Sequence, residues 1–149
     1  MITRLSGNGP MLYFRPMKDG GSFTHRLRVR SYELDSYNHV NHAVYLNYFE
    51  TARIEAMRKA GRPFSWFGDN GIQLLIARAE IDYKAPLTLD DEVDITVEVL
   101  ETGRAKVILG QDMTRVSDGR LMARARLITC CASGGKVIPV PAEFLEIFG

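Results

Sequence analysis

The pattern of polar and apolar residues contains one long helical segment and about five strand-like segments. The helical segment covers residues 43–60, where apolar side chains recur at the spacing of one helix face, and it ends at Gly61. The strand-like segments alternate apolar and polar residues, and short turns such as Thr102-Gly103 favour antiparallel neighbours. One helix cannot cover both faces of such a sheet. We therefore predict an α+β domain in which a curved antiparallel sheet of about five to six strands wraps around one long central helix.

The same pattern predicts that the chain pairs with a second copy of itself. The outer face of a sheet with a single helix must stay in contact with water or pair with another subunit, and a self-complementary surface closes with two-fold symmetry. We therefore expect a homodimer or a dimer of dimers. The predicted strands lie at residues 25–30, 76–85, 92–99, 106–116 and 121–132, with a short extended piece at 137–138.

The overall composition is that of an ordinary globular domain. The chain has 149 residues, of which 46% are hydrophobic, and a formal net charge of +1. This charge supplies no field for polyanions or anionic lipid, so neither a nucleic-acid nor a membrane partner is predicted. Residues 1–22 combine glycines and prolines without periodicity, and we expect an irregular arm there. Residues 23–149 are expected to form one domain.

The location of the protein follows from apolar runs and cysteines. No apolar run is long enough for a secretion signal or a membrane-spanning helix. The adjacent Cys130 and Cys131 point to opposite faces of a predicted strand, so a disulfide between them is not expected. These features predict a cytoplasmic protein with reduced thiols.

The candidate site is a polar segment at the start of the helix. Five polar residues lie within eight positions there: Asp35, Asn38, His39, Asn41 and His42. A helix start presents unpaired N–H groups and the positive end of the dipole, which suits a developing oxyanion. A carboxylate and two imidazoles at this place indicate a hydrolytic site. We expect Asp35 to act as nucleophile or general base, with backbone N–H groups near Asn41 and Ala43 as oxyanion donors.

These residues also have structural interpretations. Asp35 is equally suited to a turn or a helix cap. Asp35, His39 and His42 offer three possible metal ligands, but they lack the spacing of strong metal motifs, so no metal is predicted. Glu50 and Arg53 stand three residues apart on the helix, and we expect them to form a structural ion pair.

The run RVRSYELDSYNHVNHAVYLNYFETARIE closely resembles the opening of the hotdog-fold acyl-CoA thioesterases, the 4-hydroxybenzoyl-CoA thioesterase-like group. The family pattern is an Asp at the end of the first strand, a short loop, and Y-x-x-Y/F-x-E-x-x-R on the central helix. Its counterparts here are Asp35, Tyr45, Tyr48 or Phe49, Glu50 and Arg53. Downstream, IDYKAPLTLDDEVDI is similar to the family's Y-x-x-P-L-x-x-G-D-x-V, with Asp90 where glycine is usual. Together these segments cover residues 26 to about 130.

The resemblance implies a single hotdog domain that hydrolyses an acyl-CoA or acyl-ACP thioester at a dimer interface. It places the catalytic carboxylate at Asp35. His42, seven residues on, corresponds to a His of the thioesterases from the Tol–Pal gene cluster. His39, Val40 and Asn41 resemble the H-V-N-N of the acyl-ACP branch, where the His belongs to the catalytic set, although Tyr37 stands at that branch's catalytic Asn.

The remaining expectations concern binding and the alternatives to hydrolysis. The substrate-binding and oxyanion positions are expected at Asn41, Ala43 and Tyr45, and no cofactor is expected because CoA is part of the substrate. Two other functions stay open. One is a hotdog enoyl-thioester hydratase or dehydratase, which would add or remove water without releasing CoA. The other is a non-catalytic acyl-thioester binding module, in which Asp35 only caps the helix.

Overall fold

The computed structural model describes residues 23–148, so the predicted irregular arm at residues 1–22 lies outside the described residues. The strands and helices follow one another in an order close to the predicted one. They are β1 Phe23–Arg28, α1 Val44–Lys59, α2 Phe64–Asp69, β2 Gln73–Tyr83, β3 Glu92–Thr102, β4 Lys106–Arg115, β5 Leu121–Ser133, β6 Lys136–Ile138 and α3 Ala142–Phe148. The predicted α+β class, the single long helix and all the predicted strands are confirmed.

The strands form one antiparallel sheet in the order β1-β3-β4-β5-β2, with β6 beside the end of β5. One face of this sheet packs against α1, and the core between them is apolar. Phe49 of α1, Ile95 of β3 and Leu109 of β4 are almost completely buried there. Cys130 and Cys131 of β5 are both free, as their alternation along the strand predicts. No helix within residues 23–148 has the length and apolar character needed to cross a membrane.

Helix α1 forms because one of its faces is continuously apolar, and it stops because of a glycine. Its termination follows a Schellman pattern, in which Gly61 has φ +75°, a conformation that favours glycine. The Gly61 N–H donates to the Arg58 carbonyl at 3.1 Å, and the Arg62 N–H donates to the Met57 carbonyl at 3.0 Å. The predicted end of the helix is confirmed. The buried face consists of Tyr45, Tyr48, Phe49, Ala52, Ala56 and Met57.

The side of α1 next to β2 remains open. Strand β2 pairs only with β5 among the described strands, so its other edge is free. Leu75 and Ile76 of β2 are 44% and 46% exposed, and Leu46 of α1 is 41% exposed. A single copy of the chain therefore leaves an apolar strip uncovered along this side of the helix.

A buried carboxyl group lies on β3, away from this strip. Glu98 is only 2% exposed, and its Oε1 has no hydrogen-bond partner among the described residues. Burial raises the pKa of Glu98 to about 7, the charge of Asp112 adds to the increase, and Arg124 opposes it. The folded state therefore favours the neutral carboxyl group.

Replacement of Glu98 tests this assignment through the pH dependence of stability. Between the ordinary pKa of 4.5 and about 7, the unfolded chain loses this proton before the folded chain does. The free energy of unfolding should therefore fall as pH rises through this window. Glu98→Gln stays neutral, so it should be more stable than wild type by about 1–2 kcal/mol near pH 8, a difference that shrinks toward pH 5. Urea unfolding measures this, with Glu101→Gln on the exposed end of β3 as control. An equal difference at both pH values would contradict the assignment.

Candidate active site

The segment between β1 and α1 folds back on itself around Asp35. The Asp35 N–H donates to the His39 carbonyl at 2.7 Å, and the Asn38 N–H donates to the Asp35 carbonyl at 3.1 Å. Asn38 has φ +60°, a conformation that asparagine tolerates better than most residues. Leu34 and Val40 pair as an isolated antiparallel bridge on either side. The predicted polar loop is therefore a closed turn of fixed shape.

The carboxylate of Asp35 is held inside this turn. Its Oδ1 accepts hydrogen bonds from the N–H of Tyr37 at 2.9 Å and from the N–H of His39 at 3.2 Å. Its Oδ2 has no donor among residues 23–148. Asp35 is therefore a turn residue, which is one of the two structural roles expected for it from the sequence. The same contacts fix the orientation of the carboxylate and leave one oxygen for a substrate or a water molecule.

The turn is attached to two neighbouring parts of the chain. The Val40 N–H donates to the Leu87 carbonyl at 2.9 Å, and the Asn41 N–H donates to the Glu33 carbonyl at 2.9 Å. The Leu87 N–H in turn donates to the phenolic oxygen of Tyr45 on α1 at 3.2 Å. Leu87 belongs to the downstream segment of the family resemblance. The two similar segments are therefore in direct contact.

The segment after Leu87, to which the Asp35 turn is attached, forms a tight turn of its own. Asp90 has φ +65°, in the left-handed region that favours glycine, which accounts for the glycine usual at this position of the family pattern. Asp91 Oδ2 accepts hydrogen bonds from the N–H of Thr88 at 2.9 Å and from its hydroxyl at 3.2 Å. The Val29 N–H donates to the Asp91 carbonyl at 2.9 Å, which attaches this segment to the end of β1.

The start of α1 offers fewer free donors than the sequence predicts. The Ala43 N–H donates to Asn41 Oδ1 at 2.9 Å, and the Val44 N–H donates to the Asn41 carbonyl at 2.9 Å. Asn41 therefore fixes the turn that leads into α1. The N–H groups of Asn41 and Ala43 are both engaged within the chain, so the expectation that they are free oxyanion donors is wrong. Within the described part of the chain, the N–H groups of His42 and Tyr45 have no acceptor. These two remain as candidate oxyanion donors.

The two histidines of this segment differ in their exposure to solvent. His39 is partly buried in the Asp35 turn, whereas His42 is exposed at the start of the helix. The His42 carbonyl accepts a hydrogen bond from the Tyr83 hydroxyl at 2.9 Å, which brings the end of β2 to the helix start. Residues 23–148 contain no group of three or more side chains placed to hold a metal ion.

A buried link between the loop and α1 was not predicted from the sequence. Tyr48 donates a short hydrogen bond to Glu33 Oε2, and the same oxygen accepts the Arg30 N–H at 2.8 Å. Glu33 is only 8% exposed. Burial, together with the hydrogen bond to Glu33, raises the pKa of Tyr48 far above its ordinary value of 10, so the phenol remains a donor. Glu33 thereby fixes the segment that leads into the Asp35 turn.

The predicted ion pair between Glu50 and Arg53 is wrong. Arg53 Nη1 instead donates to Gln111 Oε1 at 2.7 Å, and Gln111 Nε2 donates to the Phe49 carbonyl at 2.9 Å. Gln111 is fully buried on β4, whereas Glu50 is exposed. Burial lowers the pKa of Arg53 to about 10, and the charge of Glu50 partly opposes this. The guanidinium therefore lies in a poorly solvated place beside a neutral amide.

Arg53 lines a small cleft, with a cavity volume of about 60 Å³, between α1 and β2. The walls are mainly apolar and include side chains from α1, α2, β2 and α3. Glu50 and Arg53 are the two charged residues among those that line it. The apolar walls include Ile54, Met57, Phe64, Leu75, Ile76 and Phe144. In one copy of the chain this cleft is smaller than a typical ligand pocket and admits only a small apolar group.

Comparisons with known proteins agree with this architecture. The family model described as Thioesterase-like superfamily matches residues 29–148. The long-chain acyl-CoA thioesterase FadM of Escherichia coli (strain K12) is 31% identical over 106 residues, which are 71% of this chain and 80% of FadM. The acyl-CoA thioesterase YbgC of Haemophilus influenzae is 29% identical over 135 residues, which are 89% and 97% of the two chains.

The crystal structure of a hypothetical protein from Aquifex aeolicus is similar throughout. It superposes with a TM-score of 0.80 at 31% sequence identity, over 85% of this chain and 99% of that chain. A 1,4-dihydroxy-2-naphthoyl-CoA thioesterase from Synechocystis superposes with a TM-score of 0.79 at 18% identity, and this likeness bears on the fold alone. The hotdog fold implied by the sequence resemblance is therefore confirmed.

The link between Glu33 and the helix can be tested by removing one oxygen atom. Tyr48→Phe leaves the buried Glu33 carboxylate with one donor fewer, so the free energy of unfolding should fall by about 1–3 kcal/mol. Urea unfolding gives this value. Tyr37→Phe is the matched control, because Tyr37 is 80% exposed and should change stability by less than about 0.5 kcal/mol. Equal effects of the two substitutions would show that the link does not support the loop.

Proposed function

The chain belongs to the Thioesterase-like superfamily, and from that premise we propose that it hydrolyses acyl-CoA thioesters at the start of α1. Hydrolysis converts the thioester and one water molecule into a carboxylic acid and free CoA thiol. The observation that carries the proposal is the Asp35 carboxylate, which two backbone N–H groups hold in place beside the start of the helix. The relatives named as acyl-CoA thioesterases support CoA as the thiol carrier.

In the proposed mechanism the thioester carbonyl oxygen accepts hydrogen bonds from the N–H groups of His42 and Tyr45. Charge accumulates on this oxygen in the tetrahedral intermediate, and the positive end of the α1 dipole stabilises it. Each such donor typically contributes about 10²–10³ in rate. The donors are fixed before the substrate arrives, because Asn41 holds the turn that leads into α1 in position.

Asp35 acts on the carbonyl carbon in one of two ways. As a nucleophile, its free oxygen forms a mixed anhydride while the carbon–sulfur bond breaks, and water then hydrolyses the anhydride. As a general base, it removes a proton from the water molecule that attacks directly. In both cases the leaving thiolate takes up a proton, for which His39 and His42 are the nearby imidazole donors. No cofactor takes part, because CoA enters as part of the substrate.

The acyl group extends from this point toward the cleft. Tyr83 at one end of β2 contacts the start of α1, whereas Leu74, Leu75 and Ile76 at the other end line the cleft beside the C-terminal half of α1. Strand β2 therefore runs alongside the helix in the opposite direction. The apolar strip between β2 and α1 leads from the Asp35 turn into the cleft.

A second copy of the chain completes the site. The free edge of β2 and the exposed apolar strip along α1 lie next to each other. Pairing with the same surface of another copy covers both and shields the acyl group from water. We accordingly propose a homodimer, or a dimer of dimers, with the acyl group enclosed between subunits.

Release of free CoA from a panel of acyl-CoA substrates tests the proposed function. Wild type should hydrolyse members of the panel, and Asp35→Asn should lose at least about 10²-fold in kcat, since it can neither attack nor accept the proton. The matched control for the loss of one negative charge is Asp112→Asn, which changes a carboxylate of β4 that pairs with Arg124 of β5.

Three results would contradict this proposal. An undiminished Asp35→Asn enzyme would remove Asp35 from the site. Hydration of enoyl-CoA without free CoA would favour a hydratase, and saturable binding without turnover would favour a binding module.

Light scattering on the same preparations should give a mass of two or four chains, and a fully active monomer would contradict the shared site.

A further inference from the structure

The peptide group between His42 and Ala43 is held at both of its polar atoms. Its carbonyl oxygen, that of His42, accepts a hydrogen bond from the Tyr83 hydroxyl at 2.9 Å. Its N–H, that of Ala43, donates to Asn41 Oδ1 at 2.9 Å. One anchor comes from the loop itself, whereas the other comes from β2, 41 residues further along the chain. Rotation of this peptide group therefore breaks at least one of the two hydrogen bonds.

The peptide group before it, between Asn41 and His42, is held through its carbonyl. The Asn41 carbonyl accepts the Val44 N–H at 2.9 Å. In a planar trans peptide the N–H points away from the carbonyl, so the His42 N–H is directed to the opposite side. This N–H has no acceptor among residues 23–148. His42 thus lies between two fixed peptide groups, and both of them set the direction of its free N–H.

Tyr83 is itself held in place, which allows its hydroxyl to act as an anchor. Tyr83 pairs with Ala123 of β5, and the next N–H along β2, that of Lys84, donates to the Met122 carbonyl at 2.8 Å. The Tyr83 ring meets the Tyr45 ring edge to face, with 5.1 Å between the ring centroids. Burial raises the pKa of Tyr83 above its ordinary value of 10, so the hydroxyl keeps its proton and remains a donor.

Resting on the proposed thioesterase activity, we propose that Tyr83 is a positioning residue for that reaction, whose hydroxyl holds the His42 peptide so that the His42 N–H faces the developing oxyanion. Tyr83 touches no reacting atom in this role. A donor of this kind stabilises the transition state only if it is correctly aimed, and a displacement of about 1 Å can cost about 10²-fold in rate. Because the charge on oxygen develops in the transition state, the effect falls on kcat rather than on KM.

The other role open to Tyr83 is contact with the acyl group. Its side chain is 48% exposed at the end of β2, where the apolar strip beside α1 begins. A residue that contacts the acyl group equally in the ground state and the transition state changes KM and leaves kcat unchanged. The two kinetic constants therefore distinguish positioning of the oxyanion donor from binding of the substrate.

Tyr83→Phe removes the hydroxyl and keeps the ring that packs on Tyr45. With an acyl-CoA that wild type hydrolyses, kcat should fall about tenfold or more, and KM should stay within about twofold. Thr51→Val is the matched control, because the Thr51 hydroxyl also donates to a backbone carbonyl at 2.9 Å, that of Asn47, on the exposed side of α1. It should leave both constants unchanged. An unchanged kcat in Tyr83→Phe, or a raised KM with kcat retained, would overturn the proposal.

Infrared spectroscopy of a bound substrate analogue separates positioning from a general loss of structure. The probe is a ketone analogue of the same acyl-CoA, with a methylene group in place of the sulfur and ¹³C at the carbonyl carbon. Hydrogen bonds weaken a carbonyl bond, so wild type should lower the C=O stretching frequency below its value in water. Tyr83→Phe should reverse much of this shift, whereas Thr51→Val should not. Equal frequencies in wild type and Tyr83→Phe would overturn the proposal even if kcat falls.

Failure of the proposed function is recognised separately. If wild type releases no CoA from any thioester of the panel, hydrolysis is excluded, but the carbonyl frequency is measured without turnover and still tests Tyr83. A frequency in wild type equal to that in water would show that no donor polarises the carbonyl. That result would overturn the positioning role as well.

Discussion

Burial of one face of α1 organises both the sheet and the proposed site. The helix has a single continuous apolar face, with Phe49 completely buried at its centre, and the antiparallel sheet packs against that face. The sheet does not close around the helix on the β2 side, which leaves the apolar strip and the cleft open to a ligand and a second copy. The exposed start of the same helix is the position at which an oxyanion can be stabilised.

The Asp35 turn is rigid because several hydrogen bonds fix it from different directions. Asp35 is held by two backbone N–H groups, the turn is tied to Leu87, and Glu33 is tied to Tyr48 of α1. The carboxylate and the helix N–H groups are therefore in place before substrate binds. Groups that need no reorganisation during the reaction lower its barrier most effectively. This arrangement links the packing of the helix to the proposed hydrolysis.

Features encoded by neighbouring residues could be predicted from the sequence, whereas contacts between distant residues could not. The helix, its end at Gly61 and most strands follow from periodicity. The start of β2 was missed because residues 73–76 are not alternating and a bulge follows Ile76. The ion pair expected for Glu50 was wrong because the partner of Arg53 is Gln111, 58 residues away. The Glu33 link and the hydrogen bond from the Ala43 N–H likewise depend on side-chain positions that spacing does not specify.

The Asp35 turn and the start of α1 together form the proposed reaction centre. A crystal structure with a ketone analogue of acyl-CoA, in which a methylene group replaces the sulfur, tests it most directly. We expect the ketone oxygen within hydrogen-bond distance of the N–H of His42 or Tyr45, with the free oxygen of Asp35 facing the carbonyl carbon and the acyl chain directed toward the cleft. A ketone bound away from the helix start, with Asp35 contacting only its own turn, would contradict the account.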